Sequence, residues 1–371
     1  MGENASAYRG CLLGLAVGDA MGCTVDKKTY EEICRDYGPN GLLGYDLVNG
    51  KAEVSSHTQI AAFVCNGLLV GITRGRTSPY FKYAAMAMRE WAQSQRYQRF
   101  PDRTRCWVCQ VNELRSRSCM DARMLDNLSR GAVGTLEAPS NQLDAAGSLI
   151  AAVSVGLFFH PQRMQVQQIG TLGAQTIALT HGDPMAFLSG AALAYIIAGI
   201  LQDPETPLEA HFVHAANAVV AQFGKEYPQA QELKNLLSRT MTLAKNAKLT
   251  NPEIMAHLEC DSASQVLAGA VFACLVSEGD FDRAIIAAVN HSGRSAAVGA
   301  VTGAILGAVL GEEALPDFYL ECLEAGDALR ELADDLVQGC PAGLATRLFD
   351  DEWDRKYIQG ERVEKTGWAQ V

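Results

Sequence analysis

Apolar residues recur at helical spacing along nearly the whole chain, while clean alternation of apolar and polar positions, the mark of a half-buried strand, is scarce. The runs cover 8–21, 58–71, 81–95, 145–159, 185–201, 208–223, 264–276, 282–290, 296–311 and 317–337. This pattern predicts an all-α protein. Several runs are apolar on every side, and a helix without a polar face must be enclosed by others. The expected architecture is therefore compact and multi-layered, with central helices sheathed by amphipathic ones. Gly38-Pro39-Asn40-Gly41, Asp203-Pro204 and Leu315-Pro316 punctuate the runs, but none is long enough for a linker. A single domain over 1–371 is expected, with a charged C-terminal tail over 351–371.

Two runs carry glycine at every fourth place: Gly10, Gly14, Gly18 and Gly22 in the first, and Gly299, Gly303, Gly307 and Gly311 in the second. An interior helical glycine costs about 1 kcal/mol relative to alanine, so a stripe of four needs a compensating gain. Close approach of another helix backbone supplies it. These two helices are expected at the centre, touching other helices through their glycines. The longest charge-free apolar stretch, Met185 to Leu201, has 17 residues with Ser189 and Gly190 inside it. It reads as a buried core helix, not as a membrane span.

Composition narrows the class. The 371 residues are 48% hydrophobic and 20% charged, which fits a folded globular chain and not a disordered, collagenous or coiled-coil one. A formal net charge of −11 argues against nucleic acid or an anionic membrane as the default partner. Eleven cysteines lack the spacing of a disulfide framework or zinc module, which fits a reducing cytoplasm. Cys106-Trp107-Val108-Cys109 has redox spacing but no neighbouring βαβ pattern, and reads as helix residues. Met1-Gly2 with Ser6 fits the short, permissive myristoylation pattern, which chance also supplies. His211 and His214 share a helix face without a nearby carboxylate and read as structural. Between Arg96 and Arg130 lie eight arginines (96, 99, 103, 105, 115, 117, 123 and 130) and four acids. This basic island is either a solvated, salt-bridged surface or a site for phosphate or an acidic partner.

The run Arg9-Gly10-Cys11-Leu12-Leu13-Gly14-Leu15-Ala16-Val17-Gly18-Asp19-Ala20-Met21-Gly22 resembles the opening of the ADP-ribosylglycohydrolase family, of the dinitrogenase-reductase-activating type. Ala178-Leu179-Thr180-His181-Gly182-Asp183-Pro184 and Ala288-Val289-Asn290-His291-Ser292-Gly293 resemble its A-L-T-H-G-x-P and A-V-N-H-S-G elements, in the family's order. Val155-Gly156-Leu157-Phe158-Phe159 and Arg330-Glu331-Leu332-Ala333-Asp334-Asp335-Leu336 fit as well. The similarity spans about residues 6 to 350 and implies a compact all-α single domain.

The resemblance also implies a di-magnesium hydrolase, whose ions are held by a T-D-D-T-Q and a G-D-[ST]-D-[ST] stretch. Here the counterparts are Ser55-Ser56-His57-Thr58-Gln59 and Gly293-Arg294-Ser295-Ala296-Ala297. Four carboxylates are missing and a permanently charged guanidinium has arrived, so two hard divalent cations should find no seat. Neither magnesium ion is expected. The family's G-C-G-G-x-M-R stretch aligns with Ala145 to Ala151, and its glutamate after G-D-A-[LM]-G aligns with Asp26. Asp19 and Asp26 remain as possible acids, although Asp19 could simply bond a helix end.

The residues expected to face a ligand are Ser55, Ser56, His57, Thr58, His181, Gly182, Asn290, Arg294 and Ser295. The pocket either takes an ADP-ribose-like anion without metal, is closed by these side chains, or has drifted out of use. An inactive relative that binds ADP-ribose, an ADP-ribosylated protein or a partner such as an ADP-ribosylating toxin is the leading functional expectation. The alternatives are a metal-independent or altered-specificity hydrolase and a structural role. Oligomeric state stays open.

Overall fold

The computed structural model describes residues 2–75, 78–96, 104–115, 122–131, 133–160, 163–246, 248–341 and 347–363. Among them the chain forms seventeen α-helices and no strand. They are α1 (Gly2–Val25), α2 (Tyr30–Tyr37), α3 (Ser56–Thr73), α4 (Tyr80–Arg96), α5 (Ala122–Ser129), α6 (Ala151–Phe158), α7 (Val166–Ala178), α8 (Pro184–Gln202), α9 (Leu208–Phe223), α10 (Gln229–Leu243), α11 (Asn251–Leu258), α12 (Ala263–Val276), α13 (Phe281–Val289), α14 (Ser295–Leu310), α15 (Asp317–Leu320), α16 (Gly326–Gln338) and α17 (Asp351–Asp354).

The glycine stripes find each other. α1 and α14 pack antiparallel, with Gly10 against Gly307, Gly14 against Gly303, Gly18 against Gly299 and Gly22 against Ser295. A Cβ on any of these glycines would overlap a carbonyl oxygen of the facing helix, so only hydrogen fits along the seam. α3, α8, α12, α13 and α16 enclose this pair, and α8 forms a second hub against α6, α7 and α9. α8 is long and apolar enough to cross a membrane, yet it is mostly buried among its neighbours.

Two expectations change. The 317–337 run is interrupted because Ala52 donates its N–H to the Cys322 carbonyl (2.9 Å) and accepts one from Glu324 (3.1 Å), which removes those groups from a helix. Ala325 then turns left-handed, at φ 58°, before α16 begins. Residues 351–363 are not a free charged tail. Trp353 is buried and its indole N–H bonds the Thr73 hydroxyl at 2.8 Å. Lys356, 2% exposed, pairs with Glu331 and Asp335, and Tyr357 donates to the same Asp335 carboxylate. Residues 364–371 lie outside the described ones.

Among the described residues, Cys23 is disulfide-bonded, which the spacing did not suggest. Cys106 and Cys109 are free and lie at a short 3₁₀ turn. Burial first, and the Glu90 carboxylate second, push both thiols upward. That is the opposite of an activated dithiol.

Candidate functional site

The antiparallel seam sets where chemistry can occur. It brings the C-terminal end of α1, with Asp19 and Asp26, to the N-terminal end of α14, and α3 begins beside them.

Asp19 is fully buried. Its Oδ2 accepts from the Ser55 N–H (2.8 Å), the Thr58 N–H (3.1 Å) and the Thr58 hydroxyl (2.6 Å). Its Oδ1 accepts from the Ser55 hydroxyl and faces His57 Nδ1 at 3.3 Å. Burial alone would raise this carboxyl, but the His57 contact and the Ser55 and Thr58 hydrogen bonds outweigh it and hold it below its ordinary value. Asp19 is thus an anionic cap supplied by α1 to the first turn of α3, where the free N–H groups and helix dipole favour it. The Ser55 hydroxyl also accepts the His57 N–H at 3.2 Å and so caps the same helix from within.

Asp26 caps α14 much more loosely, through one 3.3 Å bond from the Ala296 N–H. Burial raises its carboxyl above the ordinary value, against the opposing charges of His57, Arg294 and Lys27 and the Ala296 bond. It lines a cleft of about 250 Å³ together with Lys27, Ser56, His57, Arg123 and Arg294, floored by Ala145, Ala146, Gly147 and Ala297. Lys27 holds a left-handed backbone, φ 66°, and its N–H bonds the Gly293 carbonyl at 3.1 Å. This ties the turn after α1 to the turn before α14. The Arg294 Nε donates to the exposed Asp261 at 2.8 Å.

Of the residues expected at a ligand, Asp26, Ser56, His57 and Arg294 line the cleft. Asp19, Ser55 and Thr58 stand behind it as the α3 cap. Ser295 is buried and its hydroxyl reaches the His291 carbonyl at 3.4 Å. Asn290 is a clamp: its Oδ1 accepts the Leu42 N–H (2.7 Å) and its Nδ2 donates to the carbonyls of Leu42 (2.9 Å) and Ile286 (2.8 Å). His181 is buried with Nδ1 2.9 Å from the Thr180 hydroxyl, and the Gly182 N–H donates to Asn141 Oδ1 at 3.1 Å. Neither residue lines the cleft.

Sequence reading missed Lys27 and did not single out Arg123 as a cleft residue. Arg123 belongs to the basic island, of which Arg99, Arg103 and Arg117 lie outside the described residues. Arg96 and Arg130 pair with Asp126 at 3.7 and 2.8 Å, so that part of the island is a salt-bridged surface. His211 Nε2 sits 3.1 Å from the Asp203 carbonyl, a structural contact. Among the described residues, no group of three or more His, Cys, Asp or Glu is placed to hold a metal ion.

Seventeen helices around a glycine-paired core, with a cleft at one end of the pair, define an ADP-ribosylglycohydrolase fold. A solved structure titled "ADP-ribosylglycohydrolase-related protein complex" superposes with a TM-score of 0.58 at 21% identity, covering 91% of this chain and 99% of that one. The chain belongs to the ADP-ribosylglycohydrolase family, which it matches over residues 2–344. It is also 25% identical to an uncharacterized protein of Archaeoglobus fulgidus over 342 residues, 89% of this chain and 96% of that one.

Proposed function

We propose that this family member has no seat for the two magnesium ions and acts by binding: to an ADP-ribose-like ligand, to an ADP-ribosylated protein, or to a protein partner such as an ADP-ribosylating toxin. We place its action in the cytoplasm. The observation that carries the reading is the donor set at the two family motifs. The hydroxyls of Ser55 and Thr58 are already given to Asp19, His57 Nδ1 faces the same carboxylate, and the second motif presents Arg294 and Ala296. Hard divalent cations need several free oxygen donors, preferably anionic, and a guanidinium beside them repels both ions. Without metal to orient the ribose and activate water, hydrolysis by the family route should be lower by several orders of magnitude.

The test is an assay on ADP-ribosyl-arginine and ADP-ribosyl-serine with and without Mg²⁺, run beside calorimetry with ADP-ribose. The reading expects no Mg²⁺-dependent turnover; turnover that appears on adding Mg²⁺ and vanishes with EDTA would defeat it.

One observation favours a second reading, a metal-independent hydrolase. Burial raises the Asp26 carboxyl above its ordinary value, and Asp26 shares a cleft with His57, whose Nδ1 is backed by buried Asp19. Turnover insensitive to EDTA and lost in Asp26→Asn would support that reading over the first.

A further inference from the structure

The corner where α7, α8 and α9 meet holds a second cavity, of about 270 Å³. It lies at the far end of α6 from the cleft: Ala145, Ala146 and Gly147 of the cleft floor precede that helix, whereas Phe159, which lines the second cavity, follows it. The body of the cavity is apolar. Phe159, Ile169, Ala215 and the Tyr195 ring line it, together with Val166, which stays exposed. The Tyr195 hydroxyl donates to Gln222 Oε1 at 2.6 Å, and Gln222 Nε2 donates to the Thr171 hydroxyl (2.7 Å) and the Gln167 carbonyl (3.0 Å). These bonds tie α8, α9 and α7 together, so the wall is formed before any ligand arrives.

The other end of the cavity is rich in acceptors. Asp203 and His211 line it, and among the described residues no lysine or arginine does. Asp203 Oδ2 accepts the Thr206 hydroxyl at 2.7 Å, and among the described residues its carboxylate enters no ion pair. His211 Nε2 lies 3.1 Å from the Asp203 carbonyl, which can only accept, so Nε2 carries the proton and Nδ1 the lone pair. Burial lowers this imidazole, against the bonds to the Asp203 and Thr206 carbonyls, and favours its neutral form. Nδ1 faces Gly199, where a Cβ would come within 2.9 Å of it, so the glycine leaves space beside the lone pair. The sequence alone offered His211 no carboxylate; the fold supplies one at the same cavity.

We propose that this cavity binds a small organic cation, an alkyl- or arylammonium, whose apolar part packs against Phe159, Ile169 and Tyr195 while its ammonium donates to the Asp203 carboxylate and His211 Nδ1. An apolar body beside one negative charge and a neutral acceptor complements such a cation, and the aromatic rings attract it further. An anion would meet the carboxylate. The volume is at the small end for ligand sites and suits one ring or a short chain. This is a second site, and it stands whether or not the cleft holds metal.

Calorimetry on the full chain, titrated separately with 2-phenylethylamine, ethylamine and 3-phenylpropionate, tests it. The first is expected to bind saturably, and the other two, which lack the ring or reverse the charge, at least about tenfold more weakly. Asp203→Asn should weaken 2-phenylethylamine about fivefold, since the carboxylate is exposed. Ala218→Phe fills the cavity from a half-buried position on α9 and should abolish binding. Glu205→Gln removes the same charge from an exposed position outside the lining and should leave affinity within about twofold. Because Asp203 also ends α8, the unaltered protein provides a second readout: the amine should shift the methyl resonances of Val166 and Ile169 and leave that of Ala297 in the cleft unmoved. The proposal is overturned if 3-phenylpropionate or ethylamine binds as tightly as 2-phenylethylamine, if both cavity variants bind the amine unchanged, or if the Ala297 methyl shifts in place of those at the cavity. Absence of amine binding overturns it as well and leaves the metal-free reading of the cleft untouched.

Discussion

Asp19 and Asp26 leave the same helix end seven residues apart, and each caps the first turn of another helix, yet their surroundings differ in kind. Asp19 is sealed at the end of the glycine seam and saturated by hydrogen bonds from Ser55 and Thr58 beside His57. Asp26 makes one long bond and faces a cleft lined with cations. The same side chain is a structural element in one place and an adjustable one in the other. The difference is set by how many donors the fold aims at it. This asymmetry teaches that the buried wall of the site is fixed by the scaffold, whereas its open face is free to change chemistry.

The largest expected effect tests the wall. Gly18→Ala places a methyl group on the Gly299 carbonyl, and forcing the backbones apart should cost about 3 kcal/mol or more. Gly44→Ala, which meets nothing, should stay within about 0.5 kcal/mol. Urea denaturation of both reads the contrast directly. Equal losses would show that the seam is not close-packed.

Removing the buried carboxylate comes next. Asp19→Ala leaves the Ser55 and Thr58 N–H groups buried without their acceptor, and a loss of about 3 kcal/mol is expected. A loss below about 1 kcal/mol would place Asp19 with Asp26 as an adjustable group.

Acid should weaken the wall in a defined window. His291, in the turn before α14, is buried, and burial lowers its imidazole to about 4. Between the ordinary histidine value and that one, the unfolded chain binds the proton and the folded chain does not. Stability therefore falls as pH drops from about 6.5 to 4, by roughly 2–3 kcal/mol in all. Asp19, lowered in the folded state, adds a further loss only below the ordinary carboxylate range. Asp26, raised in the folded state, works with the opposite sign, because the folded chain binds its proton first. Urea midpoints across this range, compared with His291→Leu, separate these contributions; a slope that survives in the variant would place the titration elsewhere.

The smallest effect on stability belongs to Asp26→Asn, expected to lie within about 0.5 kcal/mol. Urea midpoints of the variant read this, and a loss above about 1 kcal/mol would show that Asp26 is a structural cap like Asp19.

The parts of this architecture that depend on spacing were visible in the chain. Glycine at every fourth place has one economical physical purpose, and the two stripes meet along their length. Most of the apolar runs also became helices, 317–337 excepted, because a segment apolar on all sides is fixed by burial whatever its neighbours. Helix α10 escaped that reading since its buried positions, such as Leu233, Leu237 and Met241, are separated by exposed polar residues. Breaks that depend on distant partners were not legible: Ala52 ends the helix before α16 from 270 residues away. At the site, Asp19 could be read as a helix cap, but Asn290 could not be read as a clamp, because its target at Leu42 lies in a loop without pattern. Lys27 was invisible for the same reason, being placed by Gly293.

The central question is whether divalent ions have a seat at the ends of α1, α3 and α14. Titration of the intact protein with Mn²⁺, followed by electron paramagnetic resonance and in competition with Mg²⁺, measures that directly. No saturable binding at millimolar Mn²⁺ is the result this account predicts, whereas two bound ions per chain, displaced by Mg²⁺ and lost in Asp26→Asn, would contradict it.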